Sequence, residues 1–400
     1  MTLGILYHMP FWRAADGTLW ESEGSFARYV DALAPYFDEV VLCVPVFDRP
    51  QAGGSRVRAA NVTLAPLPNF PGPRQFYPRL FSMLPRLRAW VRRCDVIHLR
   101  VPTPAAIFAF RIAWKIRPIF VLVVGDYRAL RPHLGYRGIK QALFAAYVAI
   151  EEWAVEFMAA RSLTFTNGAA LHAKHHRPGR RVHQTTTSTL HLDDVVERTD
   201  ALGGGRMRLL SVSRIDPRKG LRVLPAVVAA LRAAGHDARV EIVGPATGQN
   251  GGVERDAILD RARQLGVEPH VALRGAVPLD QLLRLYREFD VFVLPTKPGE
   301  GIPRVLLEAM ANGLPVITTA VAGITSLITH EHNGLLVDGD SADAIAAAIK
   351  RLVDDPELRR RLIANGCETA RANTVERQAE QMMGIVAAEL GLALHRRPAA

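Results

Sequence analysis

The chain has 400 residues, 49% of them hydrophobic and 22% charged, and it carries a formal net charge of +11. This length predicts two domains, and this composition excludes a disordered or fibrous protein. Residues 1–200 hold 25 Lys and Arg against 16 Asp and Glu, so most of the basic excess lies in the N-terminal half. We expect that half to meet an anionic partner such as a phospholipid surface, a lipid-phosphate acceptor or a nucleic acid.

The three cysteines, Cys43, Cys94 and Cys367, lie far apart and show neither disulfide nor metal-ligand spacing. The chain opens on a strand-like run without the pattern of a signal peptide, and no apolar run reaches the roughly 18 residues of a membrane span. We therefore predict a cytoplasmic protein with reduced cysteines, either soluble or peripheral at the inner face of the plasma membrane.

Short apolar runs alternate with helical patterns along the first half of the chain, which predicts a parallel α/β architecture. Each predicted strand is rich in β-branched residues, as strands buried on both faces should be. The predicted strands are Leu3–Tyr7, Val40–Val44, Val62–Leu64, Val96–Leu99, Ile119–Val124 and Leu163–Thr166, and the predicted helices include Ser25–Tyr36 and Lys140–Ala160.

The segment Arg74–Arg93 holds six arginines, several aromatic or long apolar side chains including Trp90, and no acid. This pattern is typical of an interfacial helix on an anionic membrane surface, at about 1 kcal/mol per basic residue. Pro78 and Pro85 are expected to break the segment into short pieces. An equally weighted alternative is a solvated basic helix whose apolar side packs on the first domain. We expect no nucleic acid, since no recognition motif accompanies the charge.

Four histidines, His172, His175, His176 and His183, cluster in a basic, polar stretch. No carboxylate or cysteine completes a metal shell there, so the pattern favours an exposed loop over a metal site.

A polar stretch, Thr185–Gly205, ends in three glycines and predicts a linker between two domains, residues 1–190 and 203–375. We expect the helical tail, residues 376–400, to cross back over the first domain. Two similar α/β halves predict a central cleft at the carboxyl ends of their strands, where ligands bind. In the second half the predicted strands are Met207–Ser213, Arg239–Val243, Val271–Arg274, Val291–Leu294, Pro315–Thr318 and Gly334–Val337, and the predicted helices include Leu221–Ala234, Leu279–Phe289 and Arg304–Asn312.

The segment after the strand Val291–Leu294 offers two carboxylates, Glu300 in a loop and Glu308 in the second turn of the following helix. Pro303 stands where the first position of a helix tolerates proline. Carboxylates suit the hydroxyls of a sugar or ribose, since each oxygen accepts hydrogen bonds. The free N–H groups at the helix start suit a diphosphate; they belong to Arg304, Val305 and Leu306.

A second loop, within Ser211–Gly220, follows the first strand of the second half and carries Arg214 and Lys219. Two cations at the carboxyl end of a strand would neutralise a departing pyrophosphate and replace a metal ion, so we expect no metal and no cofactor. Gly220 lets the backbone turn tightly there.

Together these segments resemble family 4 of the retaining glycosyltransferases, also described as glycosyl transferases group 1, whose architecture is GT-B. The resemblance runs through most of residues 207–380 and includes D-V-F-V-L-P, E-A-M-A-N-G-L-P-V-I and H-N-G-L-L-V. It implies two Rossmann-like domains and transfer of a sugar from a nucleotide-diphosphate donor to a glycan, lipid-linked or small-molecule acceptor. It also implies roles for single residues: Arg214, Lys219 and Gly24 at the donor diphosphate, Glu308 at the ribose, Glu300, Gly301 and Ile302 at the transferred sugar, and Gly275, Ala276 and Val277 at the base.

The chain departs from the family pattern after the strand Ile119–Val124, where the family often has a histidine and this chain has Gly125 and Asp126. Asp126 is the nearest polar substitute, and His98 at the end of the preceding strand is a second catalytic candidate beside Glu300. A strand-end histidine satisfied by backbone is the alternative for His98. Two other functions stay open: a catalytically silent homologue that acts as a partner subunit or sugar-nucleotide sensor, and another GT-B reaction class such as a phosphorylase or epimerase.

Overall fold

The computed structural model describes residues 1–21, 25–47, 54–70, 73–126, 138–202, 205–247, 250–297, 303–321, 323–337 and 341–397. The chain divides into two compact units, the first made of Met1–Ser188 with Val375–Ala400 and the second of Thr189–Thr374. Among the residues so described, no helix combines the length and the apolar composition needed to cross a membrane.

The first unit contains a parallel sheet of seven strands in the order β10-β9-β8-β7-β1-β4-β6. The interiors of β1, β4, β7 and β8 are buried on both faces, which explains their runs of Val, Ile and Leu. Three short strands, β2, β3 and β5, form a separate antiparallel sheet that the sequence did not predict. The bounds are β1 Thr2–Leu6, β2 Phe11–Arg13, β3 Leu19–Glu21, β4 Glu39–Pro45, β5 Ser55–Arg56, β6 Val62–Leu67, β7 Val96–Val101, β8 Ile119–Val123, β9 Leu163–Asn167 and β10 Val182–Thr185.

Helices cover the sheet of the first unit, and the last of them comes from the far end of the chain. In the C-terminal helix, Val375–Leu390, the side chains of Val375, Ala379, Met382 and Val386 are buried in the same core as the helix Ser25–Leu33. The helix bounds are α1 Ser25–Leu33, α2 Pro73–Phe76, α3 Leu80–Arg93, α4 Ala106–Ala113, α5 Ile139–Ala159 and α6 Ala169–His175.

The second unit repeats the scheme with six parallel strands in the order β13-β12-β11-β14-β15-β16. The predicted α/β class with two Rossmann-like sheets is therefore confirmed. The bounds are β11 Arg206–Val212, β12 Asp237–Val243, β13 Val271–Gly275, β14 Val291–Leu294, β15 Val316–Thr319 and β16 Leu335–Val337, with α7 Leu224–Ala233, α8 Gly251–Gln264, α9 Leu279–Leu285, α10 Arg304–Ala311, α11 Ala342–Asp354 and α12 Pro356–Ala372.

Each sheet has one point at which the direction of strand addition reverses. The reversal lies between β1 and β7 in the first unit and between β11 and β14 in the second. Loops that follow the two strands at such a point diverge and leave a crevice, which is where open α/β sheets bind ligands.

The predicted linker is shorter than expected, because residues 189–202 pack into the second unit. Leu190 and Ala201 are buried against that unit. Arg198 donates hydrogen bonds to the carbonyls of Phe289 at 2.8 Å and Ala201 at 2.9 Å. Two buried apolar side chains and a hydrogen-bonded arginine therefore hold this mainly polar stretch against the second unit.

The segment Arg74–Arg93 is not broken at Pro85 as predicted, since α3 continues through that proline. Trp90 is buried and its indole N–H donates to the carbonyl of Val41 at 3.1 Å. Met83 and Leu87 share the same core, so the apolar side of α3 packs on the first unit. The packing of three side chains outweighs the hydrogen bond that the proline removes. The apolar side of α3 is therefore packed as in the alternative, while Arg86, Arg88, Arg92 and Arg93 stay exposed.

Candidate functional site

The loop after β11 is held in shape by its own side chains. Asp216 accepts a hydrogen bond from the backbone N–H of Arg218 at 2.9 Å and pairs with the Arg218 guanidinium at 2.7 Å. This pairing lowers the pKa of Asp216 to about 2. A short 3₁₀ turn, Pro217–Lys219, then ends at Gly220, whose φ is +66°. These contacts hold the loop that bears the two cations in one conformation.

The two predicted diphosphate ligands in this loop differ in exposure. Arg214 is exposed, whereas Lys219 is only 8% exposed at the end of the 3₁₀ turn. A Cβ on Gly220 would come within 2.0 Å of the carbonyl oxygen of Pro295, so the loop lies directly against the end of β14. Only glycine allows that approach together with a positive φ.

The loop after β14 is bonded to the first loop on the other side of the reversal point. The carbonyl of Arg218 accepts from the backbone N–H of Lys297 at 2.8 Å and from the hydroxyl of Thr296 at 3.2 Å. The two predicted loops are therefore brought together. The predicted sugar-binding residues Glu300, Gly301 and Ile302 lie outside the described residues, as does Gly24.

The start of α10 differs from the prediction in two details. Pro303 is the N-cap residue with extended backbone, so Arg304 is the first helical residue. The N–H of Leu306 already donates to the carbonyl of Pro303 at 3.1 Å. It is thus not a free donor as predicted, because the first turn closes on its own cap.

Glu308, the predicted ribose ligand, is 4% exposed in the middle of α10. Its Oε2 accepts from the hydroxyl of Tyr286 at 3.0 Å, and its Oε1 accepts from the hydroxyl of Thr189 at 2.8 Å. Burial, followed by the charge of Glu308, raises the pKa of Tyr286 well above its ordinary value, so the phenol stays a donor. The sequence analysis missed both partners, because neither lies near Glu308 in the chain.

The predicted base-binding segment Gly275, Ala276 and Val277 begins at the last residue of β13, at the edge of the second sheet. The carbonyl of Gly275 accepts from the N–H of Gly244 at 2.7 Å, which ties the segment to the loop after β12. Ala276 is exposed and Val277 is partly buried.

His98 is fully buried in β7 of the first unit. Its Nδ1 faces the carbonyl of Phe120 at 3.3 Å and its Nε2 faces the hydroxyl of Tyr29 at 2.9 Å. Because a carbonyl only accepts, Nδ1 carries the proton and Nε2 accepts from Tyr29. Burial lowers the pKa of His98 to about 3. These contacts favour the packing alternative over a catalytic role for His98.

Asp126 follows β8 and pairs with Lys174 at 2.8 Å. Lys174 also pairs with Glu152 at 2.9 Å. These residues line a small cavity that also contains Glu151. Burial raises the pKa of Glu151 to about 7. The sequence analysis missed Lys174 and Glu151, which come from helices that the fold brings to the end of β8.

The histidine cluster is not the exposed loop that we predicted. His175 is buried in α6 and contacts Glu156 at 2.6 Å. His183 lies in β10 and contacts Glu389 at 2.5 Å, so both have carboxylate partners supplied by distant helices. Among the residues with described positions, no group of three or more His, Cys, Asp or Glu forms a metal site. An Asp-x-Asp triplet, Asp338-Gly339-Asp340, lies outside them.

Comparison with known sequences finds a family match that lies within the second unit. Residues 198–369 match the family described as Glycosyl transferases group 1. A D-inositol 3-phosphate glycosyltransferase of Corynebacterium glutamicum is 35% identical over 176 residues, which is 44% of this chain and 41% of that protein. A GDP-mannose-dependent alpha-(1-6)-phosphatidylinositol monomannoside mannosyltransferase of Mycobacterium tuberculosis is 34% identical over 41% of this chain and 42% of its own length. The chain thus spans about two fifths of each relative.

Solved structures share the fold over nearly the whole chain. Sucrose-phosphate synthase from Thermosynechococcus elongatus has a TM-score of 0.69 at 18% identity, covering 98% of this chain and 100% of its own. Anabaena HepE in complex with UDP and glucose has a TM-score of 0.67 at 18% identity, covering 96% of this chain and 99% of its own.

Proposed function

We propose that this chain, whose residues 198–369 form a glycosyl transferases group 1 domain, is a retaining glycosyltransferase with a nucleotide-diphosphate sugar as donor. The observation that carries the proposal is the pair of loops bonded through the carbonyl of Arg218 at the reversal point between β11 and β14. One loop carries two cations and the other leads into the helix of Glu308. A bound UDP in HepE, which shares the fold, supports a nucleoside diphosphate as the ligand.

In the proposed reaction, Arg214 and Lys219 neutralise the leaving diphosphate. Glu308 accepts hydrogen bonds from the ribose hydroxyls, and the segment from Gly275 to Val277 receives the base. Glu300, with the backbone of Gly301 and Ile302, positions the transferred sugar, and Gly24 approaches the phosphates. The leaving phosphate deprotonates the acceptor on the same face of the sugar, so the anomeric configuration is retained.

Calorimetric titration with UDP, GDP and ADP tests the donor site. We expect one diphosphate to bind, and we expect Lys219→Ala and Glu308→Ala each to weaken binding by roughly 1–3 kcal/mol, the cost of lost charged hydrogen bonds. Lys350→Ala and Glu368→Ala are matched controls, since both side chains are exposed on helices away from these loops. Equal weakening in the controls, or no binding of any diphosphate, would refute the site.

A turnover assay separates an enzyme from a catalytically silent homologue. We expect release of the bound diphosphate from its sugar donor, with the α-anomer of an α-linked donor preserved in the product. We expect Asp126→Ala to lower kcat while diphosphate affinity stays unchanged, because Asp126 belongs to the first unit. Diphosphate binding without turnover on any donor would favour the silent homologue.

We also propose that the reaction needs no metal or cofactor, since the two cations of the first loop serve the diphosphate. Activity after treatment with a chelator should equal activity in Mg²⁺. A loss on chelation that Mg²⁺ restores would contradict this, and Asp338→Asn with Asp340→Asn would then test the Asp-x-Asp triplet as the ligand.

For the acceptor, we propose a glycan, lipid-linked or small polar molecule. The names of two relatives include an inositol phosphate and a phosphatidylinositol monomannoside. We propose in addition that the protein is cytoplasmic and associates with the inner face of the membrane. Its described cysteines, Cys43, Cys94 and Cys367, are free and buried, which suits a reducing compartment.

The membrane surface that we propose combines α3 with an apolar stripe on α5, defined as Ile139, Leu143, Ile150 and Trp153. These four side chains are 76%, 66%, 53% and 58% exposed. Their spacing places them on one face of the helix. Phe81 of α3 is also 84% exposed. Trp90 is buried and takes no part.

The rim of this stripe is basic. Trp153 contacts Phe157, with ring centroids 5.4 Å apart, and the guanidinium of Arg161 lies 3.9 Å from the Phe157 centroid. The ammonium of Lys115 lies 5.3 Å from the Trp114 centroid. Exposed apolar side chains beside cations complement an anionic phospholipid bilayer. A second copy of the chain would bring like charges together at the same rim.

Sedimentation with vesicles tests this surface. We expect wild-type protein to bind vesicles of equimolar phosphatidylglycerol and phosphatidylcholine and not vesicles of phosphatidylcholine alone. Ile150→Ser with Trp153→Ser should abolish binding, whereas Val253→Ser, an equally exposed apolar residue of the second unit, should not. Binding that survives the double substitution, or a dimer that the double substitution dissolves, would contradict the membrane assignment.

A further inference from the structure

A buried arginine in the first unit has two donor nitrogens for which the described residues offer no acceptor. Arg100, the penultimate residue of β7, is 7% exposed. Its Nε and Nη1 are buried without a hydrogen-bond partner, and no ion pair joins it to any residue whose position the structure describes. Buried charges are normally paired, and an unsatisfied buried polar group calls for an explanation such as an absent ligand.

Aromatic rings contact the guanidinium of Arg100 and do not use its donors. Its Cζ lies 4.8 Å from the ring centroid of Tyr7, 4.9 Å from that of Tyr29 and 5.2 Å from that of Phe26. Cation–π contact stabilises the charge through the ring faces, whereas the N–H groups lie in the guanidinium plane. The charge is therefore accommodated while the hydrogen-bonding capacity remains.

Two further polar atoms near the ends of the same strands lack partners. Nδ1 of His8, which follows β1, and Oγ1 of Thr103, which follows β7, have none among the described residues. Burial, and then the charge of Arg100, lower the pKa of His8 to about 4, so its ring is neutral at pH 7. Leu6 of β1 pairs with Leu99 of β7, which places the residues after them side by side.

The position in the sheet is the one at which a ligand is expected. β1 and β7 flank the reversal point of the first sheet, and these residues stand at or beyond the carboxyl ends of both strands. Residues 51–150 hold 16 Lys and Arg and two acids, Asp95 and Asp126. Asp95 accepts a hydrogen bond from the N–H of Thr2 at the opposite, amino ends of these strands, and Asp126 is paired with Lys174. Neither acid neutralises Arg100.

We infer that Arg100, His8 and Thr103 form a binding site for an oxyanion, a phosphate or carboxylate group carried by the acceptor. Arginine offers planar paired donors that match both groups, and hydroxyl and imidazole donors complete such a site. That the anion belongs to the acceptor rests on the proposed transferase function, whereas the anion site itself does not. The acceptor is thereby an anionic molecule rather than a neutral sugar.

Calorimetry with small probes tests the inference in the Lys219→Ala protein, in which the competing diphosphate site is weakened. We expect glycerol 1-phosphate or glucuronate to bind, and glycerol and glucose not to bind. Adding Arg100→Met should weaken binding about tenfold or more, the effect of losing a charged hydrogen bond. Adding Arg88→Met removes an exposed arginine of α3 instead and should leave binding unchanged.

Thermal unfolding separates an anion site from a structural cation. If Arg100 serves an anion, Arg100→Met should unfold at the same or a higher temperature without phosphate and lose the phosphate-induced rise in Tm. If Arg100→Met does not fold, Thr103→Val, which keeps the side-chain shape, should weaken binding severalfold instead. Unchanged anion affinity in Arg100→Met and Thr103→Val, or no binding of either anionic probe, overturns the inference. Diphosphate binding in wild type is scored separately, so failure of the donor site and failure of this site are distinguishable.

Discussion

The hydroxyl of Tyr286 donates a 3.0 Å hydrogen bond to Oε2 of Glu308. Both side chains are buried, and the Thr189 hydroxyl engages the other carboxylate oxygen at 2.8 Å. Two neutral donors therefore hold a buried carboxylate in one orientation without neutralising it. Each oxygen keeps a further lone pair, which is what a diol ligand requires.

Removing the hydroxyl of Tyr286 should lower both the stability of the fold and the affinity of the proposed ribose site. We expect Tyr286→Phe to lower the free energy of unfolding by roughly 1–3 kcal/mol, because a buried acceptor loses its partner. Urea unfolding measures this, with Tyr36→Phe as a control at a partly exposed tyrosine. The Glu308→Gln background should reduce the effect, and a full effect there would show that the hydrogen bond to Glu308 is not its cause.

The tight turn at Gly220 gives a test with a matched glycine. Gly220 and Gly205 both have positive φ, at +66° and +76°, but a Cβ meets the Pro295 carbonyl at 2.0 Å in the first and nothing within 4 Å in the second. We expect Gly220→Ala to lower Tm and diphosphate affinity, since the loop of Lys219 must move. Gly205→Ala should show only the smaller cost of the backbone conformation. Equal losses in the two variants would contradict this account.

His98 should make stability depend on pH. Its folded-state pKa is lowered to about 3, so between that value and the ordinary 6.5 the unfolded chain binds the extra proton. Stability should therefore fall as pH falls through this window, with a slope of up to about 1.4 kcal/mol per pH unit. The double variant Tyr29→Phe, His98→Leu should show a shallower fall in urea unfolding from pH 7 to pH 4. An identical slope in both proteins would assign the dependence to other groups.

Two adjacent arginines allow a test of the segment packed against α12. Arg359 is 6% exposed and donates to Asp200 at 2.5 and 2.8 Å, whereas Arg360 is exposed and lies 3.5 Å from the same carboxylate. We expect Arg359→Met to cost roughly 1–3 kcal/mol of unfolding free energy and Arg360→Met less than about 1 kcal/mol.

The loss of unfolding free energy in Arg359→Met should also disappear in acid. The hydrogen bond from Arg359 lowers the pKa of Asp200 to about 2, so the contribution is complete above the ordinary value of 3.8. It is lost as pH falls through about 2. Unfolding of wild type and Arg359→Met at several pH values measures the difference, and a difference that persists with Asp200 protonated would contradict the ion pair as its source.

The sequence predicted the two main sheets because their strands are buried on both faces and show it locally as β-branched runs. The predicted strand Val291–Leu294 matches the observed one, and the predicted helix Lys140–Ala160 is displaced by one residue at each end. The antiparallel sheet escaped prediction because its strands have two or three residues and pair over long distances, as Trp20 does with Arg56. The continuous helix through Pro85 was not predicted, because tertiary packing overrides the local rule that proline breaks a helix.

In the candidate site, too, local features were predictable from the sequence and long-range contacts were not. The local positions of Arg214, Lys219 and Glu308 were predictable from short segments, because the first two follow a strand and Glu308 lies in the helix of one strand–loop–helix unit. Their ligand roles stay predictions. Their partners were not predictable, since Thr189 is 119 residues from Glu308 and Lys174 is 48 residues from Asp126. Arg100 sits inside a buried strand, where sequence alone gives no sign that its donors lack acceptors.

The C-terminal helix has a consequence for the order of biosynthesis. Val375, Ala379 and Val386 are 0% exposed in the core of the first unit, yet they are translated after the whole second unit. Since domains generally fold as the ribosome releases them, the second unit is complete while the first still shows the apolar face of α1. The nascent first unit therefore lacks its last helix while about half of the chain is translated. A chaperone that shields α1 would raise the yield of folded protein.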